Sequence, residues 1–200
     1  VGILIIAVFL TAWLIAESKK YEYIGLNWQK EKFGGIPIYS AVINGYNVQG
    51  NLVNFKLIMK NDPRELENIP VAGQINIKPY YPVYFSFNLD ANQTCDAGPL
   101  IGFGYFMNKI GYDLKTANAN ETLAKEQNES YVVCETNTQS TIIMLTNKGI
   151  KEGIYKHPEF DNCYYLSVSD CNNMGEVIEK FEIETLKRVL NKEKIENTSI

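Results

Sequence analysis

Histidine is nearly absent from this chain, which has only one among 200 residues. Catalytic or metal sites that need several imidazoles are therefore excluded. An excess of basic residues is also lacking: 19 basic and 23 acidic side chains give a net charge of −4, so we expect no nucleic-acid partner. The sequence contains no phosphate-binding G-x-x-x-x-G-K-[ST] loop, no G-x-S-x-G elbow and no H-E-x-x-H helix. It predicts no metal, no cofactor and no catalytic residue, and it leaves enzymatic activity undecided.

One long run of residues carries no charge. Val1–Ala16 reads VGILIIAVFLTAWLIA, and Lys19 and Lys20 follow soon after. Sixteen helical residues span about 24 Å, and this run is apolar on every side, unlike a helix at the edge of a soluble core. We therefore expect residues 1–17 to form a transmembrane or signal-anchor helix, with residues 1–16 in the lipid bilayer. A cleavable signal peptide and a buried core helix are the alternatives.

The cysteines and glycosylation sequons indicate the compartment. The cysteines are Cys95, Cys134, Cys163 and Cys171. An even number beside a membrane-targeting segment predicts two disulfides, since no C-x-x-C pair favours zinc. We expect Cys95 to pair with Cys134, which leaves Cys163 for Cys171; this is one of three connectivities. The N-x-[ST] sequons are Asn92, Asn120, Asn128 and Asn197. Together these features predict a single-pass protein of the cell membrane, a glycoprotein whose main domain is extracytoplasmic.

Hydrophobic periodicity predicts the fold class. Residues 51–60 and 82–89 alternate as half-buried strands, whereas Thr141–Leu145 is apolar on both faces and should be a central strand. Residues 96–110 and a segment that starts near Asn173 read as helices, Asn44-Gly45 reads as a turn, and Ala117–Ser130 reads as a mobile polar excursion. We therefore expect an α+β fold with a mostly antiparallel sheet and two main helices on one face, preceded by the N-terminal hydrophobic helix. The expected ranges are 18–34 for a connector, 35–191 for the domain and 192–200 for a flexible tail.

Three short motifs resemble a known group of proteins. They are Asn61-Asp62-Pro63-Arg64-x-Leu66, Cys163-Tyr-x-Leu-x-Val-x-x-Cys171 and Glu179-Lys-Phe181. With the apolar N-terminal run, this pattern resembles small membrane-anchored archaeal proteins over most of residues 30–190. The resemblance implies an archaeal surface-facing domain, and it carries no known activity.

A few side chains are candidates for chemistry. Cys95 precedes a predicted helix whose dipole can lower a thiol pKa, and His157 is the single imidazole that could act as its base. Arg64 can hold a carboxylate bidentately, either that of a ligand or that of Asp62 in the adjacent turn. An aromatic set suits a contact surface or packing over the sheet: Tyr80, Tyr81, Tyr84, Tyr164 and Tyr165.

These features predict a non-enzymatic, membrane-anchored extracytoplasmic module that serves as an interaction or accessory component of the cell envelope. Its expected partners are the lipid bilayer and a protein of the envelope. Two alternatives stay open at this point. One is an envelope enzyme that uses the Cys95 thiol. The other is a filament-forming surface subunit that assembles through the N-terminal helix.

Overall fold

A computed structural model describes residues 20–46, 50–89, 95–137, 139–148 and 151–198, without the side chains of Tyr46 and residues 192–198. The strands are β1 (Lys20–Tyr23), β2 (Leu26–Phe33), β3 (Ile36–Tyr46), β4 (Leu52–Met59), β5 (Val71–Ala72), β6 (Val83–Asn88), β7 (Leu114–Asn118), β8 (Thr141–Thr146), β9 (Gly153–Lys156) and β10 (Cys163–Ser167). The helices are α1 (Gly98–Lys109), α2 (Glu121–Gln127) and α3 (Met174–Thr198), and a 3-10 turn spans Glu65–Asn68. The expected N-terminal helix lies outside the described residues. No helix within the described ranges is long and apolar enough to cross a membrane.

The first four strands form an antiparallel meander in the order β1-β2-β3-β4. The predicted alternation in β4 is confirmed, because Phe55, Leu57 and Met59 are buried whereas the residues between them are exposed. The segment that the sequence predicted as a connector instead contains β1 and β2. Trp28 on β2 explains the difference: its ring is fully buried and its Nε1 donates to the Tyr23 carbonyl over 3.2 Å.

The other six strands form a mixed sheet in the order β5-β9-β10-β8-β6-β7. Four of its five strand pairs are parallel and only β9–β10 is antiparallel, so the prediction of a mostly antiparallel fold is correct for the meander and wrong here. The physical reason is the crossover: α1 carries the chain back over the sheet between β6 and β7, which forces those strands to run parallel. Strand β8 lies between β6 and β10, as its two apolar faces predicted.

The two long helices lie between the two sheets. A single apolar cluster joins Leu57 of the meander, Phe103 of α1, Phe181 of α3 and Phe85 of the six-stranded sheet. Phe103 makes edge contacts with both Phe85 and Phe181, at ring-centre distances of 5.5 and 5.9 Å. A smaller cluster covers the opposite face of the six-stranded sheet. The fold is thus an α+β arrangement of sheet, helices and sheet.

One segment differs from the sequence prediction because local polarity was misleading. Residues 117–130, predicted as a mobile excursion, contain the end of β7 and all of α2. The Asn120 side chain caps α2 by accepting hydrogen bonds from the backbone N–H groups of Thr122 and Leu123. At the C-terminus, the predicted flexible tail continues the backbone of α3 to Thr198.

Asn44-Gly45 is not a turn, although its sequence predicted one. Both residues lie inside β3, where Gly45 pairs with Val53 of β4. A Cβ atom on Gly45 would come within 2.4 Å of both the Lys109 carbonyl oxygen and the Phe55 ring. The glycine is therefore explained by the close approach of α1 to the meander.

The prediction of two disulfides is confirmed, but the predicted pairing of the cysteines is wrong. Cys95 is bonded to Cys171 and Cys134 to Cys163, with Cα–Cα distances of 5.1 and 5.6 Å. An extended strand carries its two ends apart, so β10 separates Cys163 at its start from Cys171 beyond its end. All four cysteines are consumed, which fits an oxidising, extracytoplasmic compartment.

Candidate functional site

A cleft lies at the carboxyl edge of the parallel strands. It is bounded by the ends of β6, β7 and β8 and by the first residues of α1 and α3. The chain leaves β6 through α1 toward β7 on one side, whereas after β8 it passes to β9 and β10 on the other side. Such a switch point between diverging connections is the usual ligand position in open parallel sheets. Its volume is about 280 Å³, at the small end for ligand sites.

The lining of this cleft combines an apolar floor with several side-chain amides. Asn88, Asn118, Asn120 and Gln127 supply the amides, with Lys148 and Glu129 as the charged groups. Apolar contacts come from Phe87, Leu89, Leu100, Leu123 and Met174. An amide offers both a donor and an acceptor, so this set matches a ligand that itself carries both.

Hydrogen bonds hold these side chains in place. Lys148 Nζ donates to Asn88 Oδ1 over 3.0 Å, and Asn118 Oδ1 accepts from the backbone N–H of Asn120 over 2.9 Å. Asn118 is buried and its Nδ2 lies 3.5 Å from Gln127 Oε1, which links the end of β7 to α2. The cleft is therefore ordered by its own contacts.

The Cys95–Cys171 disulfide braces the same edge. Cys95 lines the cleft just before α1, and Cys171 lies in the turn that leads into α3. The bond thus ties together the starts of the two long helices. With its sulfur in a disulfide, Cys95 is not a free thiol, which the thiol-enzyme alternative requires.

The single histidine has a structural environment. His157 Nδ1 accepts hydrogen bonds from the backbone N–H groups of Glu159 and Phe160, at 3.1 and 3.2 Å. Its ring packs against Phe160 and Tyr165. Among the described ranges of the chain, no group of three or more histidine, cysteine or acidic side chains is arranged to hold a metal ion.

The side chains of Asp62 and Arg64 are hydrogen-bonded to each other. Arg64 Nε and Nη2 donate to the two carboxylate oxygens of Asp62 over 3.0 and 2.6 Å, and the guanidinium lies 3.8 Å from the Tyr21 ring centre. Burial acts to raise the pKa of Asp62, but hydrogen bonds from Arg64 and from the Tyr21 hydroxyl hold this pKa below its ordinary value. These contacts fasten the turn to β1, as the structural interpretation of Arg64 expects.

The remaining sequence candidates are scattered. Tyr164 is buried in the helix-facing core, Tyr80 is fully exposed, and Tyr84 and Tyr165 pack on the opposite face of the sheet, so the tyrosines form no common patch. Among the sequons, Asn120 caps α2 and Asn128 ends it in a left-handed conformation. Asn92 and the side chain of Asn197 lie outside the described residues.

Helix α3 carries acidic groups to which the sequence analysis assigned no role. Glu179 accepts from the backbone N–H groups of Lys60 and Asn61 over 2.6 and 3.0 Å, while burial raises its pKa. Glu182 is buried, and burial, with the nearby Glu179 charge, raises its pKa well above the ordinary value. Glu179 thus fastens α3 to the residues that follow β4, and the raised pKa values of both groups reduce the negative charge on a helix that is buried on most sides.

Glu67 on the 3-10 turn accepts hydrogen bonds from Lys180 and Lys187 of α3, at 2.9 and 2.7 Å, and from the Tyr23 hydroxyl. Burial acts to raise its pKa, but the hydrogen bonds from Lys187, Tyr23 and Lys180 prevail and lower the pKa to about 2. This cluster joins β1, the 3-10 turn and α3.

The cleft residues were missed because the sequence analysis assumed antiparallel strands. Asn88 ends the apolar strand β6, which was the available signal, whereas Asn118 ends β7, a more polar strand that the sequence analysis did not predict. That signal becomes informative only when β6 and β7 run parallel and bring both residues to one edge. Comparison of the chain with protein-family models, with curated proteins and with solved structures found no match to any of them.

Proposed function

We propose that this chain is a membrane-anchored extracytoplasmic module of the cell envelope that works by binding, with the switch-point cleft as its contact site for a protein partner. The observation that carries the proposal is the braced, amide-lined cleft at the carboxyl edge of β6, β7 and β8. The two disulfides support the extracytoplasmic placement.

The lining favours a short polar segment of the partner. Peptide backbone groups offer donors and acceptors that complement the amides of Asn88, Asn118 and Gln127. Lys148 is exposed at the rim and places a positive charge there, which favours an acidic side chain or a terminal carboxylate. The apolar floor under these groups suits the aliphatic part of such a segment.

Site-specific photocrosslinking in native membranes tests this contact. A photoreactive phenylalanine analogue at Gln127, on the exposed rim, should give one discrete protein adduct, whereas the same analogue at the fully exposed Tyr80 should give none. Lys148→Ala should weaken the Gln127 adduct about fivefold, which corresponds to about 1 kcal/mol for a charge-assisted contact. Equal adducts at both positions, or an adduct insensitive to Lys148→Ala, would contradict the cleft as the contact site.

The anchor is tested separately. The proposed anchor depends on the uncharged Val1–Ala16 run. The full chain should stay with membranes through a carbonate wash, and a chain that lacks residues 1–17 should be released. If the full chain washes off, the anchor is contradicted. The photocrosslinking experiment then still tests the cleft as the contact site.

A further inference from the structure

We propose that the tip of the β2–β3 hairpin, residues 33–36, contacts the lipid surface beside the anchor and holds the domain against an anionic membrane. This inference rests on the membrane anchor of the proposed function. It assigns a role to a surface separate from the cleft.

The tip presents apolar side chains to solvent. The Phe33 side chain is 76% exposed and that of Ile36 is 54% exposed. Gly34 and Gly35 form the turn between them with φ values of +56° and +87°, and no atom lies within 4 Å of a Cβ built on either glycine. Within the described part of the chain, the turn therefore stands clear of the domain and leaves more than half of each of these two apolar side chains exposed.

Strand direction places this tip at the end of the sheet where the chain enters. Lys20, the first described residue, lies opposite Gln29 in the antiparallel β1–β2 pair. From Gln29, four residues of β2 lead to Phe33, which is about 14 Å at strand spacing. From Lys20, four residues lead back to Ala16 at the end of the uncharged run, and an extended chain covers about 14 Å over that length. The tip and the end of the apolar run can thus reach the same plane.

The charges around the tip match an anionic surface. Lys32 directly precedes Phe33 and is exposed, as is Lys30 two residues earlier. The one acidic residue between them, Glu31, is engaged by Lys56 Nζ over 2.8 Å and by Ser40 Oγ over 2.6 Å. The lysines therefore leave the tip net positive, with apolar groups at its apex, which is the pattern of an interfacial contact.

Lipid crosslinking with the full chain tests the inference. The chain is reconstituted into vesicles made of equal parts phosphatidylcholine and phosphatidylglycerol, with a photoreactive phenylalanine analogue at Phe33. Tyr80, which is fully exposed on another loop, provides the matched control position. We expect a lipid adduct at Phe33 that exceeds the one at Tyr80 by about tenfold, as partition of a phenylalanine-sized group predicts. Lys32→Glu should reduce the Phe33 adduct while the chain stays with the vesicles.

The outcomes separate this inference from the proposed function. A chain that stays with the vesicles but gives no excess lipid adduct at Phe33 overturns the hairpin contact and leaves the anchor intact. An adduct from Phe33 to a second copy of the chain overturns it as well. A chain that does not stay with the vesicles contradicts the anchor, and the hairpin contact falls with it.

Discussion

Removal of the Cys95–Cys171 bridge should be the most damaging single covalent change in this domain. The bridge joins cysteines 76 residues apart, whereas Cys134–Cys163 joins cysteines 29 residues apart. In the chain-entropy model these separations correspond to about 4.5 and about 3.6 kcal/mol of stability. A loss of about 4.5 kcal/mol raises the unfolded-to-folded ratio by about three orders of magnitude, a large part of the stability of an ordinary domain.

The bridges differ in access to solvent, which provides the assay. Cys134 and Cys163 are both buried, whereas Cys95 and Cys171 are partly exposed at the carboxyl edge. Mild reduction of the folded protein, followed by alkylation and peptide mapping, should therefore label Cys95 and Cys171 first. Urea unfolding of this singly reduced species should give a free energy lower than that of the untreated protein by about 4.5 kcal/mol.

Several results would refute this reasoning. A non-reduced peptide that links Cys95 to Cys134 would show the other connectivity. First labelling of Cys134 or Cys163 would show that burial does not control access. A loss under about 1 kcal/mol would show that the long loop is already restricted in the unfolded chain.

Three further predictions concern single residues. Gly45→Ala should lower the free energy of unfolding by about 1–3 kcal/mol, because the added Cβ would overlap the Lys109 carbonyl. Gly102→Ala, in the open part of α1, should instead raise this free energy by about 0.5–1 kcal/mol. Urea unfolding measures both variants, and equal effects would contradict the packing argument. The pKa of Glu182 is raised in the folded state, so the stability of the wild type should fall as pH rises above about 4.3. In urea unfolding from acidic to neutral pH, Glu182→Gln should remove this contribution to the pH dependence of the unfolding free energy. If the stability-against-pH curves of wild type and variant run parallel, Glu182 is ionised in the fold. The pH dependence expected for Glu67 is opposite, because its pKa is lowered in the folded state: its contribution to stability is present above about pH 4.3 and is lost as pH falls toward about 2. The stability difference between wild type and Glu67→Gln should therefore shrink over that interval. A constant difference would argue against the lysine contacts.

Sequence alone failed at the polar segment 117–130 for a physical reason. Its residues showed no apolar periodicity and carried two sequons, so a loop was the expected structure. The structure stabilises the segment through contacts distant in the chain. Asn118 accepts from the Val132 backbone N–H, Ala119 N–H donates to the Phe87 carbonyl, and Ala124 is buried. The local sequence of this segment cannot reveal hydrogen-bond partners that come from other parts of the chain.

The sequence by itself determined the α+β class, the strands with clear period-two burial, the central position of β8 and the presence of two disulfides. Each of these depends on residue type or local periodicity, and both can be seen in a short stretch of the sequence. Only the tertiary structure decided strand direction, cysteine pairing and the cleft that brings Asn88 and Asn118 together. Those properties depend on which distant segments meet. The crossover by α1, for example, makes β6 and β7 parallel and brings their polar ends to one edge, where Cys95 lies beside Cys171.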